Sequence, residues 1–141
     1  MSDEMDARSG QTAETTEEMR ADHGPHGAWA VTVTFPDGRD EPELLSLTAD
    51  GIVTETNANP GSGIGVGVWK HTKGQSFVYA FREQLLDASG DYIGDVRVSV
   101  EAVLDAMGET FDGRGEGVGF DPAGREIFRN PTTVRAMRFS L

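Results

Sequence analysis

Residues 27–35 read Gly-Ala-Trp-Ala-Val-Thr-Val-Thr-Phe, a stretch in which large apolar side chains alternate with small or hydroxyl-bearing ones. One face carries Trp29, Val31, Val33 and Phe35, and the other carries only alanines and threonines. An alternation with a period of two is typical of a β-strand that buries one face. Residues 28–35 are therefore predicted to form the first strand of a sheet.

The rest of the chain repeats this pattern in short runs that are separated by turn residues. Ala49-Asp50-Gly51 predicts a tight hairpin, because glycine readily adopts the positive φ that such a turn needs. Similar turn signals occur at residues 72–75 and 87–91. Nine such runs lie between the turns and predict about eight strands: residues 28–35, 44–47, 52–56, 65–71, 76–86, 92–104, 110–120, 125–129 and 132–141.

The connections between these runs are too short for parallel crossovers, which take a dozen or more residues. An open antiparallel meander would expose two long edges, and closing it removes both. We therefore predict an all-β fold in which residues 26–141 form an eight-stranded antiparallel up-and-down barrel. Residues 1–25 are acidic and have no aliphatic side chain beyond methionine and alanine, so they are predicted to be a disordered tail.

The composition narrows the functional classes. A net charge of −12 disfavours nucleic-acid binding, which requires a dense basic surface. No apolar run approaches the roughly 18 residues of a membrane helix, and the acidic N-terminus is unlike a signal peptide, so we predict a cytoplasmic protein that binds no membrane. The sequence has no cysteine, no cluster of metal ligands and no nucleotide-binding glycine motif, so we predict neither a metal site nor a cofactor.

The first predicted strand also carries a resemblance to a known superfamily. Gly27-Ala28-Trp29 resembles the Gly-x-Trp signature of the calycins, which include the lipocalins and avidins. In those barrels the tryptophan plugs one end, and an arginine of the last strand packs across it. The resemblance implies that Trp29 closes one end of this barrel, with Arg135 or Arg138 as its partner. A guanidinium group can stack on the indole face and bind carbonyl groups at the barrel end.

In size, topology and composition the chain is also similar to small single-domain barrels of actinomycete biosynthetic clusters. Some of those barrels, including allene oxide cyclase-like and spirotetronate-forming cyclases, catalyse cyclisations without a cofactor. This similarity implies a cofactor-independent cyclase or isomerase of secondary metabolism. Its substrate would be a hydrophobic, polyketide-like molecule in the barrel lumen.

Tyr79 and Glu83 are the candidate catalytic residues, because they share one face of a predicted strand with Phe77 and Phe81. A buried tyrosine hydroxyl requires a hydrogen-bond partner and can polarise a carbonyl group of a ligand. A carboxyl group in the lumen has its pKa raised by desolvation and can exchange a proton with a substrate. Alternatively, Glu83 is polar only because the strand leaves the core at that point.

The candidate substrate-binding residues combine aromatic side chains with glycines, and include one methionine of the last strand. Glycines alternate over residues 61–67 and again over residues 113–119. A face without side chains either permits the sharp coiling of a small barrel or leaves room for a ligand, and the aromatic residues serve equally as core filler. The candidates are Trp69, Phe81, Tyr92, Gly65, Gly67 and Met137.

Three functional hypotheses remain open at this point. The favoured one is the cofactor-free enzyme, the second is a carrier of a small apolar molecule, and the third is a structural module such as a homodimer formed through a sheet face. The lumen distinguishes them, because a barrel filled by its own side chains holds no ligand, whereas a cavity of about 300 Å³ or more accommodates one. Residues 57–67 are predicted to rim the open end.

Overall fold

The computed structural model describes residues 24–141, so residues 1–23 of the predicted disordered tail, which was predicted at residues 1–25, lie outside the described part of the chain. The strands are β1 (Gly27–Thr34), β2 (Asp40–Leu47), β3 (Ile52–Asn57), β4 (Gly65–His71), β5 (Ser76–Leu86), β6 (Tyr92–Leu104), β7 (Thr110–Phe120) and β8 (Glu126–Arg138). Each strand pairs antiparallel with the next, and β8 returns to pair with β1. The predicted all-β, eight-stranded closed barrel is confirmed. None of the described residues belongs to a helix that is long and apolar enough to cross a membrane.

Alternate residues of the strands point into the barrel and form its core. In β1, Trp29 and Val31 are buried, and Ala30 between them is exposed, as the alternation predicts. The ring of Trp29 packs edge-on against Phe111, with ring centroids 4.8 Å apart, and Phe111 packs edge-on against Phe77 at 5.2 Å. These aromatic rings fill the lumen at the end of the barrel where β1 begins.

Two strands are longer than the sequence predicts, and each contains a proline. β2 begins already at Asp40, and the predicted strands at 125–129 and 132–141 form the single strand β8. β1 pairs with β8 only from Thr133 onward. Pro131 lies before that point, where β8 has β7 as its one neighbouring strand. A proline is tolerated there, because a strand with a neighbour on only one side can lack an N–H donor.

The end of the barrel near Trp29 is closed by Arg138 of the last strand. The guanidinium carbon of Arg138 lies 4.4 Å from the centre of the Trp29 ring, which is a cation–π contact. The indole nitrogen of Trp29 donates a 2.8 Å hydrogen bond to the carbonyl of Pro25. The guanidinium nitrogens donate to three backbone carbonyls at 2.6–2.8 Å, those of Gly24, His26 and Gly108. The closure is the one that the calycin resemblance implies, and it includes Gly24 and Pro25, which the sequence assigns to the tail.

We expect Arg138→Met to lower the free energy of unfolding by about 1–3 kcal/mol, because three partly buried carbonyls lose their donors. Arg138→Lys should recover part of the loss, since one ammonium group cannot span three carbonyls. The matched control is Arg135→Met on the same strand, whose side chain is exposed and forms a surface ion pair with Asp112. Urea unfolding measures all three variants. Equal losses for Arg135→Met and Arg138→Met would contradict the assigned role of Arg138.

The glycine-rich strands approach their neighbours closely at most of their inward positions. A Cβ atom on Gly67 would overlap the backbone carbonyl of Ala80, and one on Gly115 would overlap the carbonyl of Ser99. Gly117 differs, because a Cβ atom there would meet only valine side chains at 3.6 Å or more. The glycines of β4 and β7 therefore serve mainly the sharp coiling of the barrel, and Gly117 is a position where a Cβ atom would fit without a clash.

Candidate acid–base site

A cavity of about 220 Å³ occupies the lumen at the end opposite Trp29. Its walls on β1 and β6 are valine, and β8 contributes Phe128, Asn130, Thr132 and Val134. Asn57, Asn59 and Ser62 also line it, so part of the predicted rim at residues 57–67 does lie at this end. The volume is below the 300 Å³ expected for a drug-sized ligand and corresponds to about seven water molecules.

Three glutamates of adjacent or nearly adjacent strands meet at this cavity. Glu43 of β2, Glu55 of β3 and Glu83 of β5 all line it. The carboxyl group of Glu55 is in hydrogen-bonding contact with that of Glu43 and with that of Glu83. Glu55 is 1% exposed and Glu83 is 7% exposed, whereas Glu43 is partly exposed. We call these three residues the carboxyl cluster.

Gly65 of β4 explains how side chains of β3 and β5 meet although β4 separates them. A Cβ atom on Gly65 would lie 2.6 Å from the Phe81 ring and 2.7 Å from Oε1 of Glu55. The missing side chain lets residues of β3 and β5 contact each other across β4. The space that a glycine face opens is therefore occupied at Gly65 by neighbouring side chains.

The hydrogen bonds of the carboxyl cluster leave two buried polar atoms without a partner. The Asn57 amide donates to Oε2 of Glu55 at 2.9 Å and to Oε2 of Glu83 at 3.1 Å. Oε1 of Glu55 has no donor, and the hydroxyl of Tyr79, a residue that is 2% exposed, also has no partner. Because most buried polar atoms are paired, both atoms mark a place for a further donor or acceptor.

Burial shifts the pKa of every member of the carboxyl cluster upward. Desolvation is the largest cause, and it raises the pKa of Glu43 and of Glu55 to about 7 and that of Glu83 to about 8. Like charge on neighbouring carboxylates adds to the rise, and the Asn57 amide partly offsets it for Glu55 and Glu83. Burial also raises the pKa of the Tyr79 hydroxyl, which stays protonated.

These shifts give the cluster a defined chemical capacity. Two ionised carboxylates in contact repel each other, whereas one shared proton turns the contact into a hydrogen bond. The three groups therefore titrate as a coupled unit and hold at least one proton near neutral pH. Such a unit can both give and accept a proton at pH 7, which is what general acid–base catalysis requires.

The structure brings some of the predicted site residues to the cavity and places others elsewhere. Tyr79 and Glu83, the candidate catalytic residues, both line it. Phe81, a candidate substrate-binding residue, does not line the cavity. Its ring stacks on that of Tyr79, with the ring centroids 6.3 Å apart. Gly65 and Gly67 are closely covered by neighbouring atoms, as described above.

Three predicted substrate-binding residues lie away from the cavity. Trp69 packs against Phe77 and donates through its indole nitrogen to the carbonyl of Thr48 at 2.7 Å, nearer the closed end. Tyr92 stands at the start of β6 and is 48% exposed. Its hydroxyl donates a hydrogen bond to the carboxylate of Asp95. Met137 is 64% exposed, since it falls between the inward Ala136 and Arg138 on the outer face of β8.

The sequence prediction missed Glu43, Glu55 and Asn57. Glu43 lies on the same face of β2 as the buried Leu45 and Leu47, and Glu55 lies on the same face of β3 as the buried Val53. The period of two therefore places both glutamates on an inward face. The signal was available but conflicts with the expectation that inward positions are apolar. Glu43 also follows Pro42 and precedes residue 44, at which the predicted second strand begins.

A wider open groove of about 2020 Å³ runs over strands β4 to β8 and β1. Exposed side chains of both signs line it, among them Lys70, Glu101 and Arg114. The carboxyl cluster does not line this groove. The inner cavity is therefore the better candidate for chemistry.

Within residues 24–141 no group of three or more histidine, cysteine, aspartate or glutamate side chains has an arrangement that could hold a metal ion. Comparison of the chain with protein-family models, with curated proteins and with solved structures finds no match. The architecture that is established is the closed eight-stranded antiparallel barrel, which is consistent with a calycin-like small barrel.

Proposed function

We propose that the protein is a cofactor-independent isomerase or cyclase that moves a proton within a hydrophobic substrate held at the open end of the barrel. The observation that carries the proposal is the carboxyl cluster beside a valine-lined cavity, with the unpartnered hydroxyl of Tyr79 facing the same space. Buried acid–base groups with shifted pKa values are typical of catalytic sites.

The residues have distinct roles in this proposal. Glu83 exchanges the proton with the substrate, because its pKa of about 8 lies close to neutral pH and its carboxyl group borders the cavity. The Asn57 amide orients the Glu83 carboxyl group by donating a hydrogen bond to it, and Glu55 accepts or shares the proton. The Tyr79 hydroxyl donates a hydrogen bond to an oxygen on which negative charge develops.

The cavity limits which part of a substrate reacts. A volume of about 220 Å³ holds the reacting group and a small apolar ring or chain. A larger, polyketide-like molecule would insert one end and extend outward past the mouth, where Phe35 and Phe128 offer apolar surface. Exclusion of water by the valine walls would favour cyclisation or isomerisation over hydrolysis.

The test is hydrogen–deuterium exchange at the carbon next to the carbonyl of cyclohexanone, followed by NMR. We expect the wild-type protein to accelerate the exchange. Glu83→Gln should lower the catalysed rate by about 10²–10⁴-fold, and Tyr79→Phe should lower it less. Glu101→Gln, a change of an exposed carboxylate on the outer wall, should have no effect. Equal rates for wild type and Glu83→Gln would remove the proposed role of Glu83.

The alternative function is a carrier that binds the same kind of molecule without chemistry. The small volume of the cavity and the partial filling of the lumen by aromatic rings favour neither function over the other. The carrier hypothesis predicts that cyclohexanone binds but does not exchange. Gly117→Leu, which should fill the cavity from β7, would abolish binding under both hypotheses and serves as the control for occupancy of the cavity.

A further inference from the structure

The charged side chains that line the cavity are nearly all acidic. Glu41 of β2 joins the three members of the carboxyl cluster, and the described parts of β1, β6, β7 and β8 contribute only uncharged side chains. Arg39 is the one cation of the described lining. It is exposed at the mouth, where it stacks over the Phe35 ring at 4.4 Å and reaches Asp37 at 4.0 Å. The local charge strongly disfavours an anionic ligand.

The cavity also has more hydrogen-bond acceptors than donors. The carboxyl cluster contributes six oxygens, and the Asn57 amide is the side-chain donor bonded to two of its members. Apart from the protons that the cluster shares, oxygen Oε1 of Glu55 has no donor. The Tyr79 hydroxyl is an independent second group that is buried, borders the cavity and has no partner. A ligand that brings several N–H donors and a positive charge would satisfy these groups together.

The opposite wall of the cavity has a different character. Val33, Val96, Val98 and Val134 line it, and a Cβ atom on Gly117 would still leave ordinary contact distances to the valines. An apolar body of about seven to ten non-hydrogen atoms would fit there, judged from the volume of seven water molecules. The cavity is therefore acidic on the side of β2, β3 and β5 and apolar on the side of β1 and β6, and β8 adds both apolar residues and the uncharged polar Asn130 and Thr132.

We propose that the cavity recognises small organic cations, with a primary ammonium group on the Glu43–Glu55–Glu83 cluster and an apolar body against the valine wall. The inference rests on the proposed function, because it names the class of substrate that this acid–base site takes: an apolar amine. Binding of the cation and binding of the shared protons compete for the same negative charge, so the ligand displaces protons when it enters.

Titration calorimetry with three ligands that share a cyclohexyl body tests this inference: cyclohexylammonium, cyclohexanol and cyclohexanecarboxylate. We expect cyclohexylammonium to bind at least about 10-fold more tightly than cyclohexanol at pH 8, and cyclohexanecarboxylate not to bind. The affinity for cyclohexylammonium should rise about 10-fold from pH 6 to pH 9, with release of protons into the buffer. The affinity for cyclohexanol should stay constant over that range.

Glu55→Gln is the diagnostic variant, and Glu101→Gln is the matched control. Glu55→Gln should weaken cyclohexylammonium binding at least about 10-fold and leave cyclohexanol binding within about 3-fold, because only the charged contact is lost. Equal affinity for the cation and the alcohol, absence of binding by either, or loss of both in Glu55→Gln would overturn the inference. These outcomes are separate from the exchange reaction: a protein that prefers the alcohol yet exchanges cyclohexanone retains the proposed function and loses only the cationic substrate.

Discussion

The free energy of unfolding of the wild-type protein should fall by about 3 kcal/mol or more when the pH rises from 5 to 9. The physical reason is the carboxyl cluster, whose members have folded-state pKa values of about 7 to 8 against an ordinary value of 4.5. Below about pH 4.5 both the folded and the unfolded chain hold these protons. As the pH rises further, the unfolded chain releases them first, so stability falls until the folded cluster ionises at about pH 8.

Urea unfolding at pH 5, 7 and 9 measures this effect. Glu83→Gln should flatten the pH profile and should be more stable than wild type at pH 9, because it removes one buried charge and supplies a permanent amide donor. Glu101→Gln controls for the general repulsion in a protein of net charge −12, and should keep the steep profile of the wild type. A wild-type stability that is constant from pH 6 to pH 9 would show that the carboxyl cluster is ionised without cost.

Gly115→Ala should destabilise the barrel by about 3 kcal/mol or more. A Cβ atom at this position would overlap the carbonyl oxygen of Ser99 and approach the Cα atom of Val100 to 2.9 Å. Both are backbone atoms of β6, so relief would require β6 and β7 to move apart and lose hydrogen bonds of the closed barrel. No side-chain rotation can remove the overlap.

Gly117→Ala is the matched control, since Gly117 lies two residues further along the same inward face. Its new Cβ atom would meet Val96 at 3.6 Å and Val98 at 3.8 Å, which are ordinary contacts. Its φ is not positive, so alanine should stabilise the fold by about 0.4–1 kcal/mol through the unfolded chain. Thermal unfolding of the two variants measures the contrast. Similar midpoints would mean that the glycines of β7 are not needed for close approach to β6.

The sequence was sufficient to predict the barrel, because alternation and turn glycines are local signals that agree along the whole chain. It was also sufficient for the closed end, where the implied pairing of Trp29 with an arginine of the last strand is present, with Arg138 as the partner. The choice between Arg135 and Arg138 depends on the register of β8 against β1. That register is a long-range property, which the local pattern does not contain.

The candidate site was predicted only in part, for two physical reasons. Glu43 and Glu55 are acids at inward positions, and the rule that the inward face is apolar fails where a site is built into the core. The glycine face of β4 was the second difficulty. Whether a missing side chain leaves a void or admits a neighbour depends on how sharply the sheet coils, and at Gly65 the neighbours Glu55 and Phe81 take the space.

The plug formed by Trp29 and Arg138 makes the lumen a tube with a single entrance. A molecule that enters past Asn59 and Phe128 has to leave by the same route, since aromatic rings block the far end. If the proposed function holds, substrate and product exclude each other, and every turnover must empty the tube before the next molecule enters. Such a geometry suits rearrangements of one molecule, which need no second reactant to arrive from another direction.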